Sequence, residues 1–141
     1  MKVRTSLALA GSAAALATAG LVAGPALASS ASATHTLKFT THTITMHSVG
    51  KNGGVELDKD THGGKIVAYD MIDFVSSNGG DVSLGLPGGF LYGHLTFNTK
   101  TGVTTGKVTG GAGRYKGDTG TIKGQPAGKS GSSNVTVTYH H

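Results

Sequence analysis

The sequence predicts an all-β protein: a single antiparallel closed β-barrel of about eight strands that follows an N-terminal export signal. Short runs rich in Thr, Val and Gly alternate between apolar and polar positions, and glycine clusters interrupt them about every ten residues. The chain has no cysteine, so a small exported domain must hold together by packing and backbone hydrogen bonds. A closed sheet leaves no unpaired edge, and a barrel therefore suits this chain.

The N-terminus has the organisation of a secretory signal peptide. Lys2 and Arg4 form a positive start, an Ala-rich apolar stretch follows over residues 7–22, and Ala26-Leu27-Ala28 has the small-x-small pattern of a signal-peptidase site. Ala31-Ser32-Ala33 offers a second such site. A membrane anchor is the competing interpretation, but a run of alanine and glycine is weakly apolar for a permanent span.

Cleavage after Ala28 predicts three parts: a signal peptide over residues 1–28, a disordered tail over 29–34 and one barrel domain over 35–141. We expect a secreted protein with no stable membrane insertion after cleavage. The formal net charge of +5 includes two charges from the leader. The rest form no basic stripe that could follow a phosphate backbone, so no nucleic-acid partner is expected.

The first strand is expected from His35 to His47, and its apolar face changes along the way. Leu37 and Phe39 have one parity, whereas Ile44 and Met46 have the other. Because side chains alternate between faces, the strand must slip phase near residues 40–43, and a β-bulge is the simplest device for this.

The remainder divides into strands and turns. Residues 50–65 are polar and Gly-rich, which favours a loop with room for a short strand at residues 55–57 and a solvated Glu56. Further strands are expected over residues 65–76, 78–86, 90–98, 103–111, 120–125 and 134–141. With seven or eight strands, a barrel interior is either filled by side chains or holds one small ligand.

The stretch VTGGAGRYKGDTGTIKG, residues 108–124, resembles a phosphate-binding loop only in its glycine content. Gly111, Gly113 and Gly117 are one residue too widely spaced for a dinucleotide fingerprint, and the segment that follows is strand-like. Lys116-Gly117-Asp118 has the wrong order for a P-loop. A wide turn between strands explains the glycines, and Tyr115 is expected to pack back across it.

Asp70 and His94 are the candidate catalytic residues. Asp70 shares parity with Ala68 and Ile72, and Asp73 lies on the other face with Tyr69 and Met71, so both faces are partly apolar and parity does not select the interior. If Asp70 faces the apolar interior, its carboxyl group has a raised pKa or serves as a structural anchor. His94 lies in the middle of a strand. No two of the seven histidines are spaced two apart on one strand, so no metal site is predicted, and no cofactor motif is present.

Thr109-Gly110-Gly111, followed by Gly113, Tyr115, Gly117 and Gly120, resembles the TGG-x-G-x-[aromatic]-x-G-x-x-G segment of the allene oxide cyclase-like and dirigent-like proteins. The strands around it are similar to those of exported actinobacterial members, and the resemblance extends from His35 to the end. It implies an eight-stranded barrel with a lipophilic interior that holds a reactive intermediate and steers its cyclisation or coupling. Members are frequently oligomeric, so a homo-oligomer is one expectation.

Two departures limit what the resemblance implies. The plant cyclases carry a glutamate on the first strand and a cysteine deeper in the barrel, and this chain has neither. Dirigent proteins place aspartates and an arginine in the cavity; Asp70 could correspond to one such aspartate, but Arg114 lies in the Gly-rich turn. The plant cyclase activity is therefore not implied.

The leading hypothesis is a secreted barrel that binds a small apolar molecule and steers its cyclisation or coupling. Five residues are expected to supply the apolar wall: Phe39, Ile72, Phe90, Tyr92 and Phe97. Asp70 and His94 would supply polar contacts. The alternative is a non-enzymatic exported protein of the cell surface or matrix, in which the barrel interior is packed and Asp70 caps backbone amides. A secreted hydrolase is disfavoured, because no Ser-His-Asp order or carboxylate pair can be argued.

Overall fold

The computed structural model describes residues 32–141, which form a closed antiparallel barrel of eight strands. The strands are β1 (Thr34–Val49), β2 (Gly53–His62), β3 (Lys65–Ser76), β4 (Gly79–Leu86), β5 (Gly89–Phe97), β6 (Thr104–Gly113), β7 (Thr119–Pro126) and β8 (Ser132–His140). Each pairs with its neighbour in the chain, and β8 closes the barrel on β1. The predicted fold class is confirmed. The predicted signal peptide and cleavage sites lie largely outside the described residues.

Strand periodicity decides which side chains face inwards. Along β8, Val135, Val137 and Tyr139 point into the barrel, as their shared parity predicts, and the intervening residues point outwards. The buried cluster joins residues from most of the strands and fills one end of the barrel: Phe39, Ala68, Leu84, Leu91, Val108, Tyr115, Val137 and Tyr139. We call this the closed end.

The phase slip predicted in the first strand is present, one residue beyond the predicted span. The register of β1 against β2 shifts between Thr43 and Thr45. This bulge lets Phe39 and Thr43 face inwards before it while Met46 faces the same side as Glu56 after it.

The prediction of a loop over residues 50–65 is wrong for most of that range. A regular ten-residue strand, β2, occupies Gly53–His62 and is hydrogen-bonded on both sides. Its alternation is inverted relative to the usual pattern, because Glu56, Asp58 and Asp60 face inwards whereas Val55 and Leu57 are exposed. A polar composition therefore concealed a strand that has acidic residues on its inner face.

The Gly-rich stretch is the turn that covers the closed end. β6 continues to Gly113, a turn follows, and β7 begins at Thr119. Tyr115 returns into the barrel, is 7% exposed, and donates a hydrogen bond from its hydroxyl to the Pro87 carbonyl at 3.2 Å. A Cβ on Gly111 would lie 2.2 Å from the Tyr115 carbonyl oxygen, so glycine is required for this approach. The expectation that Tyr115 packs back across the turn is confirmed.

The outer surface of β2 and β3 is apolar over several side chains. Val67, Tyr69, Met71 and Val75 of β3 are all exposed, beside the exposed Leu57 of β2. Within residues 32–141, no helix is long and apolar enough to cross a membrane.

Candidate functional site

A cavity of about 440 Å³ occupies the half of the barrel opposite the closed end. Its mouth lies among the β5–β6 and β7–β8 connections, where Gly102 and Lys129 border it. Its floor is the apolar cluster, since Phe39 and Leu91 belong to both. This volume lies within the usual range of small-molecule sites. Side chains therefore do not fill the open half of the interior. The non-enzymatic alternative required a packed interior.

Much of the cavity lining is apolar and aromatic. Phe39, Ile72 and Phe97 belong to it, and the Phe97 ring lies against that of Phe74 with centroids 5.3 Å apart. Val82 of β4 and Leu95 of β5 extend this surface. Three of the five predicted wall residues are thus brought together around one space.

The other two predicted wall residues lie on the outside of β5. Phe90 is 48% exposed and does not border the cavity. Tyr92 touches the cavity boundary, but it is exposed and its ring is stacked beside that of Phe90, with centroids 6.4 Å apart. Side chains alternate along a strand, so Leu91 and Leu95 take the inward positions instead.

His94 also lies on the outer face of β5, away from Asp70. Its Nδ1 is 2.7 Å from a carboxylate oxygen of Asp81, and both side chains are more than half exposed. This pair is a surface contact across the β4–β5 ladder, where the two residues stand directly opposite each other. The two candidate catalytic residues therefore do not share a site.

Asp70 faces inwards, and it is part of a cluster of carboxyl groups. It stands directly opposite Asp58 in the β2–β3 ladder. Glu56 and Asp58 also line the cavity, and Asp60 lies next along the same face of β2, where it is fully buried. Residues two apart on a strand share a face, and directly paired residues are close neighbours. The cluster occupies one wall of the barrel.

Few hydrogen bonds satisfy these carboxyl groups. Asp58 and Asp70 are 4% and 6% exposed, and each has one Oδ1 without a partner; both oxygens of Asp60 lack one. Glu56 is the exception, because it accepts a hydrogen bond from the Thr43 hydroxyl. Unsatisfied buried oxygens cost free energy, and in a functional protein they point to a missing partner.

Burial and mutual repulsion raise the pKa of three of these groups. Burial, then the negative charge of Glu56, raises the pKa of Asp58 to about 6. Burial and the charge of Asp58 raise the pKa of Asp60 to about 7. Burial, followed by the charges of Asp60, Asp58 and Glu56, raises the pKa of Asp70 to about 8. At neutral pH the cluster therefore holds protons that exposed aspartates would have lost.

Sequence reasoning found Asp70 but missed Glu56, Asp58 and Asp60. The signal was available in the run VELDKDT, because its three acidic residues recur at every second position. Strict alternation predicts a strand whichever face is polar, and pairing with the strand that carries Asp70 would have placed the acids together.

Comparison with known proteins supports the fold. No family model matches the chain, and no curated protein matches it. Among solved structures it is similar to pyocyanin demethylase, with a TM-score of 0.60 and 20% identity over 74% of this chain and 99% of that chain. At this identity the similarity shows a shared barrel fold. It does not establish the allene oxide cyclase-like family.

Proposed function

We propose that the barrel binds a small, mainly apolar organic molecule in its open half. The observation that carries this proposal is the presence of partnerless oxygens on Asp58 and Asp70, both of which border a cavity with an aromatic wall. A ligand with a polar group at one end would satisfy them and cover the apolar surface. The similarity to pyocyanin demethylase, a protein named for acting on a small molecule, favours a ligand-processing role by analogy.

The carboxyl pair can move protons on a bound ligand. With a pKa of about 8, Asp70 is mostly protonated at neutral pH and can donate a proton, whereas Asp58, with a pKa of about 6, is mostly ionised and can accept one. Environments that separate two pKa values in this way supply an acid and a base in one site. A proton given by Asp70 and another taken by Asp58 balance without a co-reactant. This supports the steering of an isomerisation or cyclisation, in line with the function that the sequence suggested.

Binding is tested with N-phenyl-1-naphthylamine, an uncharged probe whose fluorescence rises in apolar sites, and with pyocyanin as a second ligand. We expect saturable binding, with stabilisation of about 2.7 kcal/mol at a hundredfold excess over the dissociation constant. The variant Val135→Phe places a ring in the cavity and should remove binding, since Val135 lines it. The control Val67→Phe adds the same ring to the outer face of β3.

Three results would count against the proposal. The first is the absence of a shift with either ligand. The second is equal binding by the folded Val135→Phe variant and the wild-type protein, because the probe would then lie elsewhere. The third is loss of binding in Val67→Phe, which would move the site to the outer surface. Circular dichroism of each variant checks that the barrel has formed.

We also propose that the protein is exported and acts outside the cytoplasm. The support is the arrangement of Lys2, the Ala-rich stretch and Ala26-Leu27-Ala28 ahead of the barrel. Expression of the full chain in a secreting bacterial host, followed by intact-mass measurement of the medium, tests it. A secreted product that begins at Ser29 or at Thr34 is expected, whereas an uncleaved chain retained in the cells contradicts export.

A further inference from the structure

The interior charge of the barrel is unbalanced. All the carboxyl groups of the cluster come from two adjacent strands, and the inward residues of the strands on either side carry no charge. The titratable groups facing the cluster are Glu56, Asp58, Asp60 and Asp70, and its neighbours are Thr41 and Thr43 of β1 and Val82 and Leu84 of β4. At the mouth stands Lys129, exposed on the β7–β8 connection.

Among residues 32–141, no basic side chain forms an ion pair with the cluster. In the part of the chain that the structure describes, the ion pairs are His94–Asp81 on the outer face of β5 and His141–Asp118 at the closed end. Carboxylates held together in a poorly hydrated wall repel one another, and either protons or a bound cation must neutralise them. In the absence of a ligand, protons fulfil this role, which is why the pKa values of the three aspartates are raised.

We propose, on the basis of the ligand-binding function above, that the ligand of this cavity is an organic cation with a protonated amine, which Asp58 and Asp70 bind in exchange for protons. A primary ammonium has three N–H donors and no acceptor, so it suits a pair of carboxylates such as Asp58 and Asp70, which stand directly opposite each other in the β2–β3 ladder. A ligand that offers only an acceptor would leave the remaining carboxylate oxygens without donors. The basic nitrogen therefore fits the wall better than a carbonyl or hydroxyl group does.

The apolar lining of the cavity explains why the cation would be organic. Ile72 stands directly opposite Glu56 in the β2–β3 ladder, and Leu95 and Val135 line the same cavity, so a bare metal ion would leave this surface uncovered. An aromatic or aliphatic amine places its hydrocarbon part there and its charge on the acidic wall. Aromatic rings also attract cations directly, which adds to the selectivity.

Three probes with the same ring and different charge test the inference by isothermal titration calorimetry: 2-naphthylethylamine (cation), 2-naphthaleneethanol (neutral) and 2-naphthylacetate (anion). Near pH 7.5 the amine should bind at least about tenfold more tightly than the alcohol, and the acetate should bind most weakly. Amine affinity should rise between about pH 5 and pH 8, because deprotonation creates the carboxylates that bind it. Titration in two buffers of different ionisation enthalpy should show protons released on amine binding.

Isosteric variants assign the effect to the cluster. In the double variant Asp58→Asn/Asp70→Asn, the amine and the alcohol should bind about equally, and proton release should disappear. The control Asp73→Asn removes a carboxylate from the outer face of β3 and should leave the preference unchanged. The alcohol also serves as a folding check, since its binding to the double variant requires an intact cavity.

Each failure has a distinct meaning. If none of the three probes nor N-phenyl-1-naphthylamine binds, the proposed function and the inference both fail. If the alcohol binds as tightly as the amine, or the preference survives in the double variant, only the inference fails. Displacement of the amine by calcium chloride at equal concentration would assign the cluster to a metal ion and would also overturn it.

Discussion

The same eight strands form both ends of the barrel, but their inward side chains are packed at one end and surround a cavity at the other. At the closed end, Leu91 and Val137 are almost fully buried, and the Tyr115 and Tyr139 rings meet edge to face with centroids 5.8 Å apart. At the open end, Asp58 and Asp70 line a cavity together with apolar side chains. One end satisfies its side chains internally, whereas the other leaves oxygens without partners.

Folding stability and the proposed ligand binding depend on different parts of the barrel. Tight packing of apolar groups contributes free energy of folding, and buried carboxyl groups subtract from it. The barrel can tolerate buried carboxyl groups only because tight apolar packing elsewhere in the molecule compensates their cost. The Gly-rich turn belongs to the stabilising half, since it delivers Tyr115 into the core. If the division is real, variants at the two ends should differ in kind, and three predictions test it.

The largest effect is expected from Tyr115→Ala at the closed end. The ring is buried in the main cluster and its hydroxyl bonds to the Pro87 carbonyl, so its removal leaves a large cavity. We expect a loss of about 3–5 kcal/mol in the free energy of unfolding, measured by urea denaturation. The control Tyr69→Ala removes a ring that is 48% exposed on the outer face of β3, and it should cost far less. Similar losses in both variants would mean that Tyr115 does not anchor the closed end.

A smaller loss is expected from one methyl group in the turn. In Gly111→Ala, the new Cβ would meet two backbone oxygens, that of Tyr115 at 2.2 Å and that of Phe90 at 2.7 Å, and neither can move as a side chain could. We expect destabilisation of about 1–3 kcal/mol. The neighbouring Gly110→Ala is a matched control, because a Cβ there meets nothing within 4 Å. If thermal unfolding shows equal midpoints for the two variants, the close approach of the turn has no energetic weight.

The two ends also differed in how well the sequence predicted them. The closed end obeys the common rule that apolar residues face inwards, so the shared parity of Val137 and Tyr139 is enough to identify the inner face of β8. At the open end, β2 reverses that rule, and the acids of VELDKDT were read as a solvated loop. Asp70 was singled out because it shares the parity of Ala68 and Ile72, although the other face of β3 is also apolar. Prediction from composition therefore fails for β2, the strand that carries most of the acidic residues proposed to bind the ligand.

The prediction of which aromatic residues line the interior depended on choosing the inner face of each strand. Phe39 and Phe97 were placed correctly at the interior, but Phe90 and His94 have the other parity of β5 and lie outside. Both faces of that strand carry rings and long apolar side chains, so hydrophobicity does not distinguish them. Only the pairing of β5 with β4 and β6 fixes the register and, with it, the inward set.

The smallest expected effect is a change in pH dependence on the acidic inner face of β2. Asp60 is 0% exposed, and its pKa is raised from 3.8 to about 7, so the folded state holds a proton that the unfolded chain releases more easily. The contribution of Asp60 to stability is therefore fully present below about pH 4 and is lost as the pH rises through about 7. In Asp60→Asn this loss cannot occur. Between about pH 5 and pH 6.5, we expect the stability of the variant to fall by up to about 1.4 kcal/mol per pH unit less than that of the wild-type protein.

The informative quantity is the slope of the free energy of unfolding against pH, measured by urea denaturation at several pH values. The amide of the variant is also buried without partners, so its stability at any single pH mixes two effects. Asp73→Asn, on the exposed face of β3, should keep the wild-type slope, because its carboxylate is hydrated in both states. Parallel profiles for the wild type and Asp60→Asn would show that Asp60 titrates normally. The acidic inner face of β2 would then be hydrated, and its carboxyl groups would not impose the energetic cost that distinguishes them from the apolar cluster.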